Sequence, residues 1–385
     1  MLLKYIKKII FFLFLGAVIF GLVGFAGVFF DRYAVSRLAS MPILSRFGIF
    51  KKLTDQVTII NKTEQVVIRE DDSVEKIVSQ PATSVVNIVA LVKEGSSVKK
   101  APATMTGVLL TNDGVVATYG EKPFSNEDTR YIVLLFDGTS HPADFIGYDM
   151  LTNLSFFRLS DAVNTPSIAL ANSDDARVGK KLIAIGNASL EYQNRLAVGI
   201  LGNNNRTFNL SGKTVASSEK WEGVFEMDLN NADNFVGGPA VGFNGEMVGL
   251  VGTLTIDNTA KVFLIPSNVV RKSLELAING AFAKRPVLGV YYMSVTKTLA
   301  LELGLKRDRG ALVYSPSGKT GLALIADSPA MKAGLQVGDI ITAVGGQEIN
   351  LEHTLPSLLS GFNVGDTIEL LIVRGGEERS VSVTL

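Results

Sequence analysis

The chain has 385 residues, of which 47% are hydrophobic and 19% are charged. This length predicts two or three domains, and the composition excludes disorder over most of the chain. Lysine plus arginine (37) equals aspartate plus glutamate (37), so the chain lacks the basic excess typical of nucleic-acid-binding proteins. Because there is no cysteine, disulfides, thiolate-bound metals and thiol catalysis are excluded. The two histidines leave very few candidates for a mechanism that needs one.

A long uncharged segment stands near the start of the sequence. Residues Ile9–Phe30 span 22 positions without a charged side chain, with three lysines before them and Asp31 after them. A helix of this length rises about 33 Å, enough to cross a hydrocarbon layer roughly 30 Å thick. The lysines predict that the short N-terminal end stays in the cytoplasm, with the bulk of the chain outside the cell membrane. A cleaved signal peptide is the alternative, although its apolar region is usually only about 7–15 residues long.

The remaining sequence divides into three parts. Residues 31–75 mix charged and apolar residues without a sustained period, which indicates a stalk or linker. Residues 76–280 contain short apolar runs between turn residues, which predicts a β-barrel or a pair of barrels, followed by a helix that Ser267 caps. Residues 284–385 show strands around a short helix near Ala330–Gly334 and have the size of a separate small domain. The expected fold class is therefore mostly β.

Several short motifs follow one another from about residue 72 to the end of the chain. They are Thr106-Gly107-Val108-Leu109, Asp149-Met150-Leu151-Thr152, Ile185-Gly186-Asn187, Gly237-Gly238-Pro239, Gly245-Glu246-Met247-Val248-Gly249 and Ser328-Pro329-Ala330 through Gly338-Asp339. In this order and spacing they resemble the HtrA/Deg-type serine proteases with one PDZ domain. The resemblance implies a membrane anchor, a stalk, a trypsin-like double β-barrel and a C-terminal PDZ domain of α+β type.

The resemblance also identifies the positions of the catalytic triad, and all three carry other residues. Glu121 stands at the histidine position, Asn153 at the aspartate position and Val236 at the serine position. Acyl transfer needs a nucleophilic oxygen and a base beside it, whereas Val236 ends in methyl groups. Asn234 stands at the glycine that gives the family one of its two oxyanion-hole N–H groups. The sequence thus predicts a degenerate protease domain with no catalytic residue.

A second site follows from the PDZ resemblance. The run Val287-Leu288-Gly289-Val290 matches the loop that presents backbone N–H groups to a peptide's terminal carboxylate, and the next strand would pair with the peptide. A helix near Leu351–Ser360 would complete the groove, so extended peptides with free, apolar C-termini are the expected ligands. The predicted peptide-binding residues are Val287, Leu288, Gly289, Val290, Leu355 and Leu358. A glycine-containing strand entry without a ligand is the purely structural alternative.

The other polar candidates carry weaker signals. His141 lies in a turn-like segment and His353 in the terminal domain, and both are predicted to be solvated surface residues. Ser217-Ser218 and the run Asn203–Asn205 are expected to be loops without an adjoining base. No set of residues has metal-ligand spacing, and no glycine-rich loop opens a helix as phosphate binding requires. No metal and no cofactor are therefore expected.

Three functions remain open from the sequence. The first is a membrane-anchored pseudoprotease that binds peptide or unfolded-protein C-termini, a role in envelope protein quality control. The second is an active serine endopeptidase that uses non-standard catalytic residues. The third is a regulatory subunit of active homologues in a mixed oligomer, since the family commonly assembles as trimers. Serine-directed labelling separates the second from the others, and pull-down of co-assembling homologues separates the first from the third.

Overall fold

A computed structural model describes residues 74–94, 97–98, 103–120, 129–161, 164–187, 194–317 and 322–385. The predicted membrane span Ile9–Phe30 and nearly all of the predicted stalk lie outside the described residues. Within these described ranges, no helix is both long enough and apolar enough to cross a membrane. The described part is mostly β, as predicted, and its strands form three antiparallel sheets.

The first sheet follows a short helix, α1 (Val74–Val78), and closes on itself. Its strands are β1 (Val85–Glu94), β2 (Ser97–Val98), β3 (Ala103–Leu109), β4 (Val115–Tyr119), β5 (Thr129–Leu134), β6 (Ser140–Asp149) and β7 (Leu154–Leu159). Their order is β2-β1-β3-β4-β7-β6-β5, and β5 also pairs with β1, so the sheet forms a barrel. Ile88, Leu109 and Phe157 are fully buried inside it. Successive strand residues point to opposite faces of the sheet, so each short apolar run of the sequence places apolar side chains inside the barrel.

The second sheet is a separate closed barrel. Its strands are β8 (Lys181–Gly186), β9 (Arg195–Asn209), β11 (Glu222–Met227), β12 (Pro239–Val241), β13 (Met247–Ile256) and β14 (Thr259–Pro266). They follow the order β11-β14-β13-β12-β8-β9, and β9 pairs back with β11. Leu182, Leu201 and Leu264 are fully buried within it. The prediction of two barrels is therefore confirmed, but Asn203–Asn205 belongs to the long strand β9 and is not the loop expected from its polar sequence.

The helix after the second barrel, α2 (Ser267–Ile278), begins at Ser267, but the predicted cap is wrong. Pro266 holds the N-cap position and makes no side-chain cap bond, and Ser173 Oγ accepts from the N–H of Asn268 in the first turn at 3.1 Å. The hydroxyl of Ser267 instead donates to the carbonyl oxygen of Ala171 at 2.8 Å, which ties the helix to the chain ahead of β8. Val270 and Leu274 on its apolar face are buried in a core shared with side chains from both barrels.

The third sheet belongs to the C-terminal domain and includes one strand from outside it. Its elements are β15 (Tyr291–Ser294), α3 (Lys297–Leu303), β16 (Ala311–Val313), α4 (Pro329–Lys332), β17 (Ile340–Val344), β18 (Gln347–Glu348), α5 (Leu355–Leu359), β19 (Thr367–Arg374) and β20 (Glu377–Thr384). The strand order is β10-β15-β16-β17-β19-β20, with β18 on β17. Strand β10 is Ala216–Ser217, which lies between β9 and β11 of the second barrel. The two domains thus share one hydrogen-bonded sheet.

Candidate functional site

The protease-domain site lies where the end of β4 meets two turns. The backbone N–H of Gly120 donates to the carbonyl oxygen of Asn153 at 2.7 Å, so these two segments run side by side. The turn that holds Val236 and Gly237 packs on β3 and β4, because a Cβ added at Gly237 would meet Thr106 O at 2.2 Å. The structure therefore brings Asn153 and Val236, the residues predicted at the aspartate and serine positions, close to the end of β4. Glu121, the residue predicted at the histidine position, lies outside the described residues.

Asn153 is held by three side chains in a buried polar cluster. Its Oδ1 accepts hydrogen bonds from the hydroxyl of Tyr148 at 2.9 Å and from Lys220 Nζ at 2.6 Å. Its Nδ2 donates to the hydroxyl of Tyr119 at 3.2 Å. The backbone of Asn153 has φ +58°, a left-handed conformation that asparagine adopts more readily than most residues. Both its side chain and its backbone suit asparagine at this place.

Tyr119 belongs to the same cluster and carries a buried phenol. Its ring packs edge-on against Phe263, with 5.8 Å between ring centroids. Burial raises the pKa of Tyr119 to about 12, and the hydrogen bond from Asn153 opposes that rise only in part. Tyr119 is therefore a neutral hydroxyl at physiological pH and does not act as a base in this cluster.

Val236 follows a 3-10 turn over Ala232–Phe235 that sets the shape of the serine position. Val236 has φ −56° and ψ 127°, is half-buried, and packs against the apolar cores of the domain. The next residue, Gly237, has φ +86° and lies against Thr106 and Thr118, so the turn cannot move inward. The side chain at position 236 therefore sits in a fixed place and offers only carbon atoms there.

Asn234, the residue predicted at the oxyanion-hole position, has a backbone N–H that is already bonded. The backbone N–H of Asn234 donates to the carbonyl oxygen of Asn231 at 3.1 Å, within the 3-10 turn. Asn231 itself has a left-handed backbone, with φ +52° and ψ 45°. A donor that is already bonded inside its own turn cannot also point at a developing oxyanion, which needs free N–H groups about 2.7–3.1 Å away.

The two histidines lie in different domains. His141 lies in strand β6, not in a turn as expected, and its Nδ1 lies 2.9 Å from Asp161 Oδ1. His353 is exposed in the C-terminal domain, as predicted. Across the ranges that the structure describes, no group of three or more histidine or acidic side chains is arranged to hold a metal ion.

The loop Val287–Val290 opens the C-terminal domain beside β10. Leu288 and Val290 are fully buried and belong to the core of that domain, whereas Val287 is exposed. Gly289 has φ +80°, and a Cβ there would meet Ser328 Cβ at 2.3 Å, so only glycine fits. Leu355 on α5 is buried in the same core, and Leu358 is partly buried against it. The predicted peptide-binding residues thus lie together, but most of their side chains fill the core.

The N–H groups of this loop already have partners. Gly289 N–H donates to Glu219 Oε1 at 2.8 Å, and Val290 N–H donates to Ser218 Oγ at 3.0 Å. Ser218 N–H in turn donates to the carbonyl oxygen of Val290 at 3.0 Å. The expectation that Ser217-Ser218 is a loop without an adjoining base is therefore wrong. Ser217 is in a strand, and its hydroxyl donates to Glu219 Oε2 at 3.0 Å.

Two further features surround this contact between the domains. A cavity of about 370 Å³ lies beside Glu219, lined in part by Met150, Val287, Pro356 and Leu359. A second cavity of about 640 Å³ includes Leu358 and Glu222 in its lining.

Glu222 is a buried acid that sequence reasoning did not single out. Its side chain is 2% exposed and accepts hydrogen bonds from the hydroxyls of Tyr292 and Ser294 on β15. Burial raises the pKa of Glu222 to about 7, while the hydrogen bonds from Ser294 and Tyr292 oppose this rise. Burial and the nearby acid also raise the pKa of Tyr292 well above its ordinary value. Glu222 and Tyr292 therefore join the second barrel to the C-terminal domain through one buried polar contact.

Comparisons with protein families match two parts of the chain. Residues 99–250 match the family model described as a trypsin-like peptidase domain, and residues 286–385 match that of a PDZ domain. These matches agree with the barrels and with the C-terminal sheet of the structure.

Curated relatives cover most of this chain. A probable periplasmic serine endoprotease DegP-like of Rhizobium meliloti (strain 1021) is 26% identical over 283 residues, which cover 73% of this chain and 52% of that protein. A protein of the same description from Pseudomonas putida (strain W619) is 28% identical over 295 residues, covering 76% of this chain and 57% of that protein. The chain thus spans little more than half the length of these relatives.

Solved structures share the fold. The HtrA-type protease AlgW with a decapeptide superposes with a TM-score of 0.62 at 23% identity, covering 81% of this chain and 98% of that one. The same protease with a tripeptide gives a TM-score of 0.63 at 23% identity, covering 81% of this chain and 96% of that one. At this identity the similarity demonstrates a common fold.

Proposed function

We propose that this chain, a member of the HtrA/Deg-type family of trypsin-like peptidases with one PDZ domain, is a membrane-anchored pseudoprotease. In this proposal the protease fold serves as a scaffold, and the PDZ domain binds peptide or unfolded-protein C-termini in envelope protein quality control. The loss of proteolysis and the binding of peptides concern different sites, so different experiments test them.

The observation that carries the loss of proteolysis is the side chain at position 236. Val236 lies in the turn between Phe235 and Gly237, where the resemblance requires a nucleophilic hydroxyl, and its methyl groups cannot attack a carbonyl carbon. The geometry nearby supports the same conclusion, because Asn234 N–H is bonded to Asn231 O and does not face an oxyanion. Asn153 accepts a hydrogen bond from Lys220, but it carries no charge to stabilise an imidazolium.

Peptide binding is supported by the PDZ match and by the loop geometry. The N–H groups of Gly289 and Val290 point out of the loop toward oxygen acceptors, as carboxylate capture requires. The AlgW structures that share the fold are complexes with a decapeptide and with a tripeptide, which supports a peptide as the ligand class here.

Location outside the cytoplasm is supported by the sequence and by the curated relatives. Ile9–Phe30 is uncharged and follows three lysines, as a single-pass anchor with a cytoplasmic end would be. The relatives from Rhizobium meliloti and Pseudomonas putida are described as periplasmic. Protease added to right-side-out cells is expected to digest the bulk of the chain, and full protection would contradict this orientation.

Serine-directed labelling tests the loss of catalysis. The full chain in detergent micelles is incubated with a fluorophosphonate probe and, separately, with casein, beside an active HtrA-type protease as positive control. We expect no labelling and no casein cleavage, because no nucleophilic oxygen stands at position 236. Casein cleavage that survives removal of contaminating proteases would show that other residues catalyse the reaction.

Peptide binding is tested with a fluorescent decapeptide that ends in a valine with a free carboxylate. Its binding to the full chain is followed by fluorescence anisotropy, and the same peptide with an amidated C-terminus is the matched control. We expect the amidated peptide to bind at least about tenfold more weakly, because charge-assisted hydrogen bonds to the loop are lost. Equal binding of the two peptides would exclude carboxylate capture.

A further inference from the structure

The groove that a peptide would occupy in the PDZ domain is filled by a segment of the same chain. Strand β10 pairs antiparallel with β15, with Ala216 opposite Tyr292 and Ser217 opposite Tyr291. On its other side β15 pairs with β16, so β10 stands at the edge where a bound peptide would add as a new strand. Ala216 is 4% exposed and belongs to the core of the PDZ domain.

The residues that follow β10 reproduce the contacts of a terminal carboxylate. Glu219 Oε1 accepts from Gly289 N–H at 2.8 Å and from the hydroxyl of Ser218 at 2.7 Å. The same hydroxyl accepts from Val290 N–H at 3.0 Å. A side-chain carboxylate and a hydroxyl therefore satisfy two N–H groups of the loop that we assign to carboxylate capture.

The turn that carries Glu219 is itself fixed by the second barrel. Asn209 at the end of β9 is buried, and its Nδ2 donates to the carbonyl oxygens of Ser217 at 3.2 Å and Lys220 at 2.9 Å. Trp221 N–H donates to Leu151 O at 2.7 Å, which holds the far end of the turn. These contacts hold the short strand Ala216–Ser217 and the turn that carries Glu219 in place against the PDZ domain.

We infer that Ala216–Glu219 is an intramolecular ligand of the PDZ groove, and that an external peptide binds only by displacing it. This inference rests on the proposed peptide binding and adds a competitor for the same site. The apparent affinity for a peptide is then the intrinsic affinity multiplied by the fraction of molecules in which the groove is open. The internal ligand also indicates the chemistry that fits: an extended chain with a small residue opposite Tyr292 and a carboxylate at Gly289.

Hydrogen exchange tests the internal contact without any added peptide. The full chain is compared with E219Q, which removes the charge but keeps the size of the side chain, and with E246Q in the turn between β12 and β13 as matched control. We expect the amides of Gly289 and Val290 to be protected in the wild type and in E246Q, and to exchange at least about tenfold faster in E219Q. Equal rates in all three proteins, or fast exchange in the wild type, would overturn the inference.

Peptide affinity gives the second readout, using the decapeptide with a free C-terminal valine. We expect E219Q to bind it roughly tenfold more tightly than the wild type and E246Q do. If wild type and E219Q bind the peptide equally, the internal ligand does not compete and the inference fails while peptide binding stands. If no variant binds the peptide although exchange at Gly289 accelerates in E219Q, the internal contact stands and the proposed peptide binding fails.

A second substitution keeps the test valid if E219Q does not fold. S218A removes the hydroxyl that accepts from Val290 N–H and leaves the backbone pairing in place. Its thermal unfolding is compared with that of the wild type before the binding measurement. We expect S218A to tighten peptide binding in the same direction as E219Q, and unchanged affinity in a folded S218A would count against the inference.

Discussion

Asp149, at the end of β6, forms a buried ion pair with Arg285, which lies just ahead of the PDZ domain. The carboxylate of Asp149 is 1% exposed and accepts hydrogen bonds from Nε and Nη2 of the guanidinium. It also accepts from the hydroxyl of Ser273 on α2 at 2.6 Å and from Leu151 N–H at 3.1 Å. One carboxylate thus connects the first barrel, α2 and the segment that leads into the PDZ domain.

We expect R285A to lower the free energy of unfolding by about 3 kcal/mol, because it leaves a buried carboxylate without its cation. The measurement is urea unfolding followed by circular dichroism. The control is R379A, since Arg379 pairs with Glu377 where both side chains are about half exposed or more. That variant is expected to change the unfolding free energy by less than about 1 kcal/mol. Equal losses in the two variants would show that burial of Asp149 does not matter.

We expect Glu222 to make the protein less stable as the pH rises. The pKa of Glu222 is about 7 in the folded protein and near 4.5 in its ordinary state, so the folded protein keeps this proton longer than the unfolded chain does. Its contribution to stability is full below pH 4.5 and is lost as the pH rises through 7, on the order of 3 kcal/mol in all.

The variant E222Q isolates this effect, because glutamine does not titrate. Urea unfolding is measured at pH 5 and at pH 8 for the wild type, for E222Q and for E246Q as control. The stability of E222Q is expected to change less between the two pH values than that of the wild type, whereas E246Q is expected to follow the wild type. Parallel pH profiles for all three proteins would contradict the raised pKa of Glu222.

At Asn153 we expect stability to depend on whether the substituted side chain keeps an oxygen that accepts hydrogen bonds. N153A removes the acceptor of Tyr148 and Lys220 and places alanine at φ +58°, so a loss of about 3 kcal/mol is expected. N153D keeps an oxygen at 2.6 Å from Lys220 Nζ and is expected to stay within about 1 kcal/mol of the wild type. Guanidinium unfolding midpoints compare the two, and a less stable N153D than N153A would refute this account of the cluster.

Restoring the hydroxyl alone is not expected to restore catalysis. V236S supplies an oxygen, but Glu121 is not an imidazole that can later protonate the leaving amine, and Asn234 N–H stays bonded to Asn231. We expect no fluorophosphonate labelling and a stability loss of about 1 kcal/mol, because serine replaces a packed, half-buried valine. Labelling of V236S at the introduced serine would show that the remaining site still activates a nucleophile.

Local features of the fold were predictable because nearby residues determine them. The turn at Asn112-Asp113-Gly114 joins β3 and β4, with Gly114 at φ +83°. The turn at Phe243-Asn244-Gly245 likewise joins β12 and β13, and the short helix α4 ends before Gly334 at φ +77°. In each case glycine occupies a left-handed position that the sequence alone makes recognisable.

Contacts between distant segments could not be predicted in the same way. Ser267 looks like a helix cap because serine commonly caps, yet its hydroxyl reaches Ala171 O across the fold. The polar run that contains Ser218 and Glu219 looks like a solvated loop, and only the docking of β10 on β15 gives these side chains partners. A short strand of two residues has no periodicity of its own, so its pairing depends on the tertiary structure.

The pairing of β10 with β15 also affects the tendency of this protein to aggregate. An uncovered strand at the edge of a sheet presents unpaired N–H and C=O groups that can recruit a strand from another molecule. Here the outer side of β15 is covered by the protein's own chain, and Ala216 and Ser217 meet it residue by residue. Because the chain itself closes this edge, β15 is not exposed as a template for aggregation.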